Sequence, residues 1–293
     1  MPQQFTPVPA VPMGPGDPLV LLPGAGFGAW FSKVQEIAKR SWKSALIITT
    51  VGIAAPRALT ALIQAIAGGA DLSITSLRGS LVGGAGSLLL GLFVTVIATI
   101  VACYLAAAGW AAGTWALVHE ASTGQRANLG QAFSFGFKRA MALFPWTIVA
   151  GIAVGIGSAC FVIPGLYLAF GFSMFGFVAL FERGTNPIGR SFGLTHNSAT
   201  FGPTVGKVAI LLVIYLIYTV VVGAIFAAIT LAVAFGTGGF LFHLTSGLLS
   251  AIAALLSAPA IALLLIGLLP TYAELRAREV PLSTPELQRQ LLA

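Results

Sequence analysis

The chain has 293 residues, of which 57% are hydrophobic and only 8% are charged. Soluble domains carry about 25% charged residues, because a surface that faces water needs them. The composition therefore excludes a soluble domain and predicts an integral membrane protein of the all-α class. The net charge of +7 comes mainly from short loops between apolar stretches, and membrane topology accounts for such loops without a nucleic-acid partner.

The first 26 residues form a segment of their own. They contain seven prolines, several glycines and a single charge, Asp17. Such a composition buries too little apolar surface to fold, so residues 1–26 are predicted to be a disordered cytoplasmic tail. The remainder is divided into a membrane domain over 27–278 and a short cytoplasmic tail over 279–293.

Four long apolar stretches follow the tail. A helix needs about 20 residues to cross the hydrocarbon core of a bilayer, so the stretch 44–70 is predicted to hold one span. The stretch 140–181 holds two spans, divided at Ile163-Pro164-Gly165. The stretch 208–273 holds two more, separated by a glycine cluster. The stretch 79–118 is long enough for one tilted span or two short ones.

The basic residues decide between these two topologies. If 79–118 is one helix, the chain has six spans and Arg78 alone lies on the side opposite the termini. Cytoplasmic loops are enriched in Lys and Arg, so the asymmetry predicts six spans with both termini cytoplasmic. The basic residues placed on the cytoplasmic side are Lys33, Lys39, Arg40, Lys43, Arg126, Lys138, Arg139, Arg183, Arg190, Lys207, Arg276, Arg278 and Arg289.

Three segments before the predicted hairpins are amphipathic at helical spacing. They cover 27–43, 129–144 and 188–201, with aromatic side chains on one face and basic side chains on the other. This pattern predicts helices that lie in the headgroup region. Leu129-Gly130-Gln131-Ala132-Phe133 also aligns with Ile188-Gly189-Arg190-Ser191-Phe192. A few such identities suggest a threefold repeat of an interfacial helix and a hairpin.

Three carboxylates stand at the ends of the even-numbered spans: Glu120, Glu182 and Glu274. A negative charge near a helix C-terminus opposes the helix dipole, so the three need an explanation. One interpretation is a ring of acids that binds a cation or clasps the basic interfacial helices, with clasping preferred to metal binding. The favoured alternative is that they are solvated residues that pair with nearby arginines, namely Arg183, Arg276 and Arg278.

Arg57 is the one charge deep inside an apolar stretch, where it follows Pro56. An ionisable residue within a membrane is a candidate functional site. It lies 14 positions after Lys43, which is about 21 Å along a helix. Its long side chain could therefore also reach the outer headgroups, and this second interpretation is preferred.

The chain shows no catalytic or cofactor-binding pattern. His119, His196 and His243 fall in different segments without a partner at ligand spacing. No nucleophile elbow or phosphate-binding loop occurs. We therefore expect no enzyme activity, no metal and no cofactor.

Several motifs are similar to those of a known family. They are Ile163-Pro164-Gly165-Leu166-Tyr167, Glu182-Arg183-Gly184, Arg190 to Thr195 and the terminal Tyr272-Ala273-Glu274-Leu275-Arg276-Ala277-Arg278. Together they resemble the membrane domain that precedes some glycerophosphoryl diester phosphodiesterases, of which stand-alone bacterial members are six-span proteins. Phe192 stands where the family usually has tryptophan. The resemblance implies a bacterial membrane protein, but not the enzyme activity, which belongs to a separate soluble domain.

These features lead to a functional hypothesis. We expect a non-catalytic protein of a bacterial cytoplasmic membrane that handles or senses an amphiphile, either lipid or peptide, or that serves as the membrane module of an envelope assembly. Membrane lipids, a second copy or another membrane protein would be its partners. The alternative is a self-contained transporter or channel, with Arg57 and the three glutamates in its pathway.

Overall fold

The structure is a computed structural model that describes residues 16–66, 85–198, 200–236 and 239–293. Every regular element in these ranges is a helix, which confirms the predicted all-α class. A π-helical turn, Thr50–Ala54, joins the first two helices into one rod. The helices are α1 (Phe27–Thr49), α2 (Ala55–Ile66), α3 (Ala85–Thr123), α4 (Leu129–Cys160), α5 (Val162–Gly171), α6 (Phe175–Phe181), α7 (Pro187–Thr195), α8 (Phe201–Gly236), α9 (Gly239–Leu256), α10 (Ala258–Ala277) and α11 (Thr284–Leu292).

Six helical rods in the described ranges are long and apolar enough to cross a membrane, as predicted. We call them spans 1 to 6, and they indicate a multi-pass membrane protein. Their limits are Phe27–Ile66, Gly91–Thr123, Leu129–Cys160, Val162–Phe181, Phe201–Ala234 and Leu241–Ala277.

Span 2 belongs to one uninterrupted helix, in agreement with the charge pattern. Helix α3 continues for 39 residues, which is roughly 58 Å at about 1.5 Å per residue. The hydrocarbon core is only about 30 Å thick. Helix α3 therefore tilts strongly or projects beyond the bilayer. The first residues of the predicted stretch, 79–84, lie outside the described residues.

The first two amphipathic segments are not separate helices. Each continues without a break into its span, the first through the π-helical turn and the second within α4, where Pro145 is accommodated. The third is separate, because α7 ends at Thr195 and α8 begins at Phe201. The headgroup location of these segments and the threefold repeat stay predictions.

The predicted break between spans 3 and 4 is sharp, whereas Thr237 and Gly238 of the glycine cluster predicted between spans 5 and 6 lie outside the described residues. Phe161 adopts an extended conformation between α4 and α5, and Pro164 lies in the first turn of α5, where its missing N–H is tolerated. In span 6, Pro259 lies in the first turn of α10, after the break at Ser257. Helices α9 and α10 are therefore two separate helices within span 6.

The segment predicted to be disordered, residues 1–26, is packed against the bundle in part of its described range, 16–26. Leu19, Val20 and Leu21 are 0%, 5% and 7% exposed, and Asp17 accepts hydrogen bonds from the backbone N–H groups of Leu19 and Thr284, each at 2.9 Å. This short apolar run is buried, although the high proline content of the whole segment predicted disorder. Residues 1–15 lie outside the described residues.

The C-terminal segment is likewise packed rather than a free tail. Helix α11 lies against α3, and Leu282, Leu287 and Leu291 are buried. The N-terminal run and α11 meet through Asp17 and Thr284. The two ends of the described chain therefore close over the same end of the bundle, which requires an even number of spans between them.

Helix α10 forms the centre of the bundle. Almost all of its residues are buried, and it packs against α1 and α8. Trp30 of α1 is 2% exposed and donates a hydrogen bond from Nε1 to Thr271 Oγ1 of α10 at 2.9 Å. This contact ties the first amphipathic segment to the last span.

Spans 1 and 2 approach each other at two glycines. A methyl group placed on Gly52 would lie 2.6 Å from the Cα atom of Gly109, which is closer than side-chain carbons can come. Small residues at a crossing let helix backbones meet. Gly52 also lies within the π-helical turn, so the crossing and the turn occupy the same place in span 1.

Candidate functional site

The three predicted carboxylates lie near the chain termini, and each is held by a different set of partners. Glu274 of α10 is 3% exposed. Its Oε2 atom lies 2.5 Å from Nζ of Lys207 on α8, which is also 3% exposed. Its Oε1 atom lies 3.4 Å from Nη2 of Arg278. Lys207 further donates to the carbonyl oxygen of Ala25 at 3.4 Å, so this ion pair joins span 5, span 6 and the N-terminal segment.

Glu182, at the end of α6, holds two arginines. Its Oε2 atom accepts from Nε of Arg190 and Nη1 of Arg276, both at 2.8 Å. Its Oε1 atom accepts from the Tyr272 hydroxyl at 3.0 Å. Arg190 also binds Glu279, and the hydrogen bonds to Glu279 and then Glu182 raise the pKa of Arg190 above its ordinary value. The cluster connects α6, α7 and α10.

Glu120, at the end of α3, is 2% exposed. Its Oε1 atom accepts from Oγ of Ser44 at 2.5 Å and from the N–H of Ala127 at 3.0 Å. Its Oε2 atom has no hydrogen-bond partner among the described residues. It interacts electrostatically with Arg40, whose Nε and Nη2 atoms are likewise without a partner in the described ranges. This third carboxylate ties α3 to α1 and to the loop before α4.

These contacts correct the favoured interpretation of the acids as solvated residues. The side chains of Glu120, Glu182 and Glu274 are nearly removed from solvent. Arg276 and Arg278 do act as partners, whereas no ion pair in the described ranges involves Arg183. No group of three potential metal ligands occurs in those ranges. Glu120 and Glu274 each join the two spans of one hairpin, and Glu182 joins two hairpins, because Arg276 lies on α10.

We expect Glu182→Gln to lower the free energy of unfolding by about 1–2 kcal/mol, because the arginines lose a charged acceptor. The loss stays moderate because Glu279 still neutralises Arg190 and an amide oxygen can accept from Tyr272. Chemical unfolding in mixed micelles, followed by circular dichroism, measures this change. Glu286→Gln, which affects a pair with the exposed Arg289 and a hydrogen bond from Gln290, is the matched control. Equal stability of the two variants would refute the clasp.

Arg57 lies elsewhere, in the wall of a half-open cavity between the spans. The cavity has a volume of ≈ 390 Å³, within the range of about 300–1,000 Å³ that is typical of small-molecule sites. All six spans contribute to its wall. One residue from each, in chain order, is Arg57, Trp110, Thr147, Ser173, Tyr215 and Leu264.

The Arg57 guanidinium is the one formal charge in this wall. The side chain is exposed to the cavity, and no hydrogen bond or ion pair in the described ranges involves it. No Asp or Glu lines the cavity among the described residues. The sequence left open whether Arg57 reaches the outer headgroups or a functional cavity. The structure places Arg57 in the wall of this cavity, and contact with the outer headgroups stays a prediction.

Two further polar groups in the wall have no hydrogen-bond partner among the described residues. They are the indole N–H of Trp110 and the hydroxyl of Ser173, and both atoms are buried. Trp110 is pressed against the backbone of α6, because a methyl group on Gly176 would lie 2.6 Å from its Nε1 atom. A buried donor without a partner costs about 1–3 kcal/mol. A small side-chain movement that lets an acceptor bind either donor would therefore recover this free energy.

Ser173 and Arg57 both lie at or just after an interruption of a regular α-helix. Ser173 lies in the turn between α5 and α6, where the helix is interrupted inside span 4. The π-helical turn precedes Arg57 in span 1 in the same way. Interruptions of this kind are common at functional sites in membrane helices. The sequence analysis singled out Arg57, but it missed Trp110, Ser173 and Tyr215, which are ordinary residues of apolar stretches.

The cavity therefore combines one cation with walls that are otherwise largely apolar, and the buried Trp110 and Ser173 donors lie behind this surface. It contains no carboxylate that could act as a base and no paired nucleophile among the described residues. Such a wall is suited to hold an anionic group next to hydrocarbon.

Comparison with known proteins adds no information about the ligand. No family model, no curated protein and no solved structure matches the chain. The resemblance to the phosphodiesterase-associated membrane domain thus stays a prediction. Several of the residues that carry it, Glu182, Arg190, Tyr272 and Arg276, nevertheless form one contact cluster.

Proposed function

We propose that this chain is a non-catalytic protein of a bacterial cytoplasmic membrane that binds an amphiphile with an anionic head group. The head group occupies the Arg57 cavity, and both chain termini face the cytoplasm. The single observation that carries the proposal is a guanidinium that has no partner among the described residues and lies in the wall of a largely apolar cavity to which all six spans contribute.

The physical reason is the cost of an unpaired charge inside a membrane. An arginine at the centre of a spanning helix costs about 2.5–3.5 kcal/mol on insertion scales. Such residues normally face a carboxylate or water, and the cavity wall offers no carboxylate among the described residues. An anionic ligand offsets this cost, because guanidinium groups bind phosphate and carboxylate through paired hydrogen bonds.

The composition of the wall favours an amphiphile over a small ion. Leu143, Val154, Phe172, Ile261 and Leu268 line the cavity beside Arg57. A hydrated anion that passes through a channel needs a continuous polar lining, whereas these residues suit hydrocarbon. The alternative, a transporter or channel for a small solute, would require strong binding of an anion that has no hydrocarbon chain.

The test compares two amphiphiles with the same chain. Purified protein in a neutral detergent is titrated with hexadecyl phosphate or with zwitterionic hexadecylphosphocholine, and bound ligand is measured by native mass spectrometry. We expect tighter binding of hexadecyl phosphate. Arg57→Gln should weaken its binding at least about tenfold, which corresponds to about 1.4 kcal/mol, and Arg57→Lys should weaken it less.

Arg126→Gln is the matched control, because Arg126 is exposed in the loop between α3 and α4. It removes the same charge and should leave the affinity unchanged. The proposal would be contradicted if the wild type and Arg57→Gln bound hexadecyl phosphate equally tightly. It would also be contradicted if Arg57→Gln and Arg126→Gln weakened this binding to the same extent. Binding of inorganic phosphate as tight as that of hexadecyl phosphate would instead support a solute pathway.

A further inference from the structure

A second apolar depression lies between spans 4 and 5. It is a groove of ≈ 360 Å³ formed by one face of α5 and one face of α8. Its residues include Ile163, Leu166 and Phe170 of α5, and Val205, Val213 and Leu216 of α8. We call it the α5–α8 groove. No charged residue lines it among those described.

The groove faces outward. Ile163 is 80% exposed, Tyr167 is 53% exposed and Val213 is 50% exposed. In a protein that spans a membrane, exposed apolar side chains on span helices face lipid. The α5–α8 groove is therefore accessible from the bilayer.

The groove and the Arg57 cavity are neighbours that share one side chain. Leu212 of α8 lines both of them. On α5 the boundary falls between consecutive residues, since Ala169 lines the cavity and Phe170 lines the groove. One residue thus separates a site for an anionic head from an apolar groove that opens to lipid.

We propose that the α5–α8 groove holds the hydrocarbon chain of the amphiphile whose head group binds at Arg57. The ligand is then a lipid with an anionic head, and it reaches the cavity sideways from the bilayer, past Leu212, rather than from water. This inference rests on the function proposed above. It adds the ligand class, the position of the chain and the route of access.

A further apolar depression, on span 1, shares no side chain with the Arg57 cavity. It lies between α2 and α3 and includes Leu59, Phe93 and Ile97. Its wall does adjoin the cavity along the chain, since Pro56 directly precedes Arg57 and Leu105 directly precedes Ala106. It is therefore an internal comparison for the shared side chain: a lipid-facing groove of similar character that has no side chain in common with the cavity.

Photolabelling tests the position of the chain. Hexadecyl phosphate that carries a diazirine in the middle of its chain is added to the full protein in phosphatidylcholine nanodiscs, and labelled peptides are identified by mass spectrometry. We expect labelling of α5 and α8 that unmodified hexadecyl phosphate competes away and that Arg57→Gln reduces at least fivefold. Labelling at Phe93 and Ile97 should be weak and should not respond to either change.

A pair of variants tests the connection. Leu212→Trp fills the boundary between groove and cavity, and we expect it to weaken binding of hexadecyl phosphate about tenfold. Leu212→Ala should retain binding, and Ile97→Trp, which fills the groove between α2 and α3, should leave affinity unchanged. Thermal unfolding of each variant shows whether it is folded. If Leu212→Trp is unfolded, the photolabelling pattern alone decides.

The outcomes separate the two proposals. Competed labelling that depends on Arg57 but falls outside α5 and α8 would overturn the position of the chain and leave the proposed function intact. Labelling that neither competitor nor Arg57→Gln reduces would overturn both. Competed, Arg57-dependent labelling of α5 and α8 would support both.

Discussion

Replacing Lys207 by Met is expected to destabilise the protein by about 3–5 kcal/mol, which is the cost of leaving one member of a buried ion pair without its partner. Lys207 and Glu274 are each 3% exposed, and their charged atoms lie 2.5 Å apart. Arg278 remains near Glu274, but only at 3.4 Å. The free energy of unfolding in mixed micelles, followed by circular dichroism, measures the loss.

Two controls make this result specific to burial. The double variant Lys207→Met with Glu274→Leu removes both charges, and we expect it to recover most of the stability, because apolar pairs replace buried ion pairs well. Glu36→Gln breaks a more exposed pair with Lys33 and should change stability by about 1 kcal/mol or less. If the single and double variants are equally unstable, loss of packing rather than the unpaired charge is the cause.

Gly52→Leu is expected to have the second large effect, a loss of about 3 kcal/mol in the free energy of unfolding. Even the first carbon of the new side chain would lie 2.6 Å from the Cα atom of Gly109, so the two helices must separate. The same unfolding measurement applies. Ile53 follows Gly52, Trp110 follows Gly109, and both line the cavity. Binding of hexadecyl phosphate should therefore weaken as well.

Gly155→Leu is the matched control for this prediction. Gly155 also lies inside a span, but a methyl group placed there meets no heavy atom within 4 Å. We expect no loss of stability, since leucine forms helices better than glycine by roughly 0.8 kcal/mol. Similar losses in both variants would show that the crossing of spans 1 and 2 is not tight.

Much of the fold follows from the distribution of a few charges. The isolation of Arg78 was sufficient to predict that span 2 is one helix, and α3 is continuous. In contrast, composition failed for the N-terminal segment. Seven prolines indicated disorder, yet the run from Leu19 to Leu21 is buried. Average composition hides a short apolar run that one neighbouring helix can cover.

The candidate sites were predictable only in part, and for a physical reason. Glu274 and Arg278 are four residues apart on one helix, so their pairing follows from helical geometry. Glu274 and Lys207 are 67 residues apart, and only the packing of spans 5 and 6 brings them together. Arg57 was identifiable as an isolated charge, whereas the donors near it became visible only with the interhelical cavity.

The π-helical turn at Thr50–Ala54 sets the azimuth of Arg57. A wide turn holds one more residue than an α-helical turn of the same height, and one residue corresponds to a rotation of about 100° around the axis. If this stretch were a regular α-helix, the close contact between Gly52 and Gly109 would still hold α1 against span 2. The Arg57 side chain would then point about 100° away from the cavity. We therefore expect deletion of one residue from this turn to weaken binding of hexadecyl phosphate as much as Arg57→Gln does.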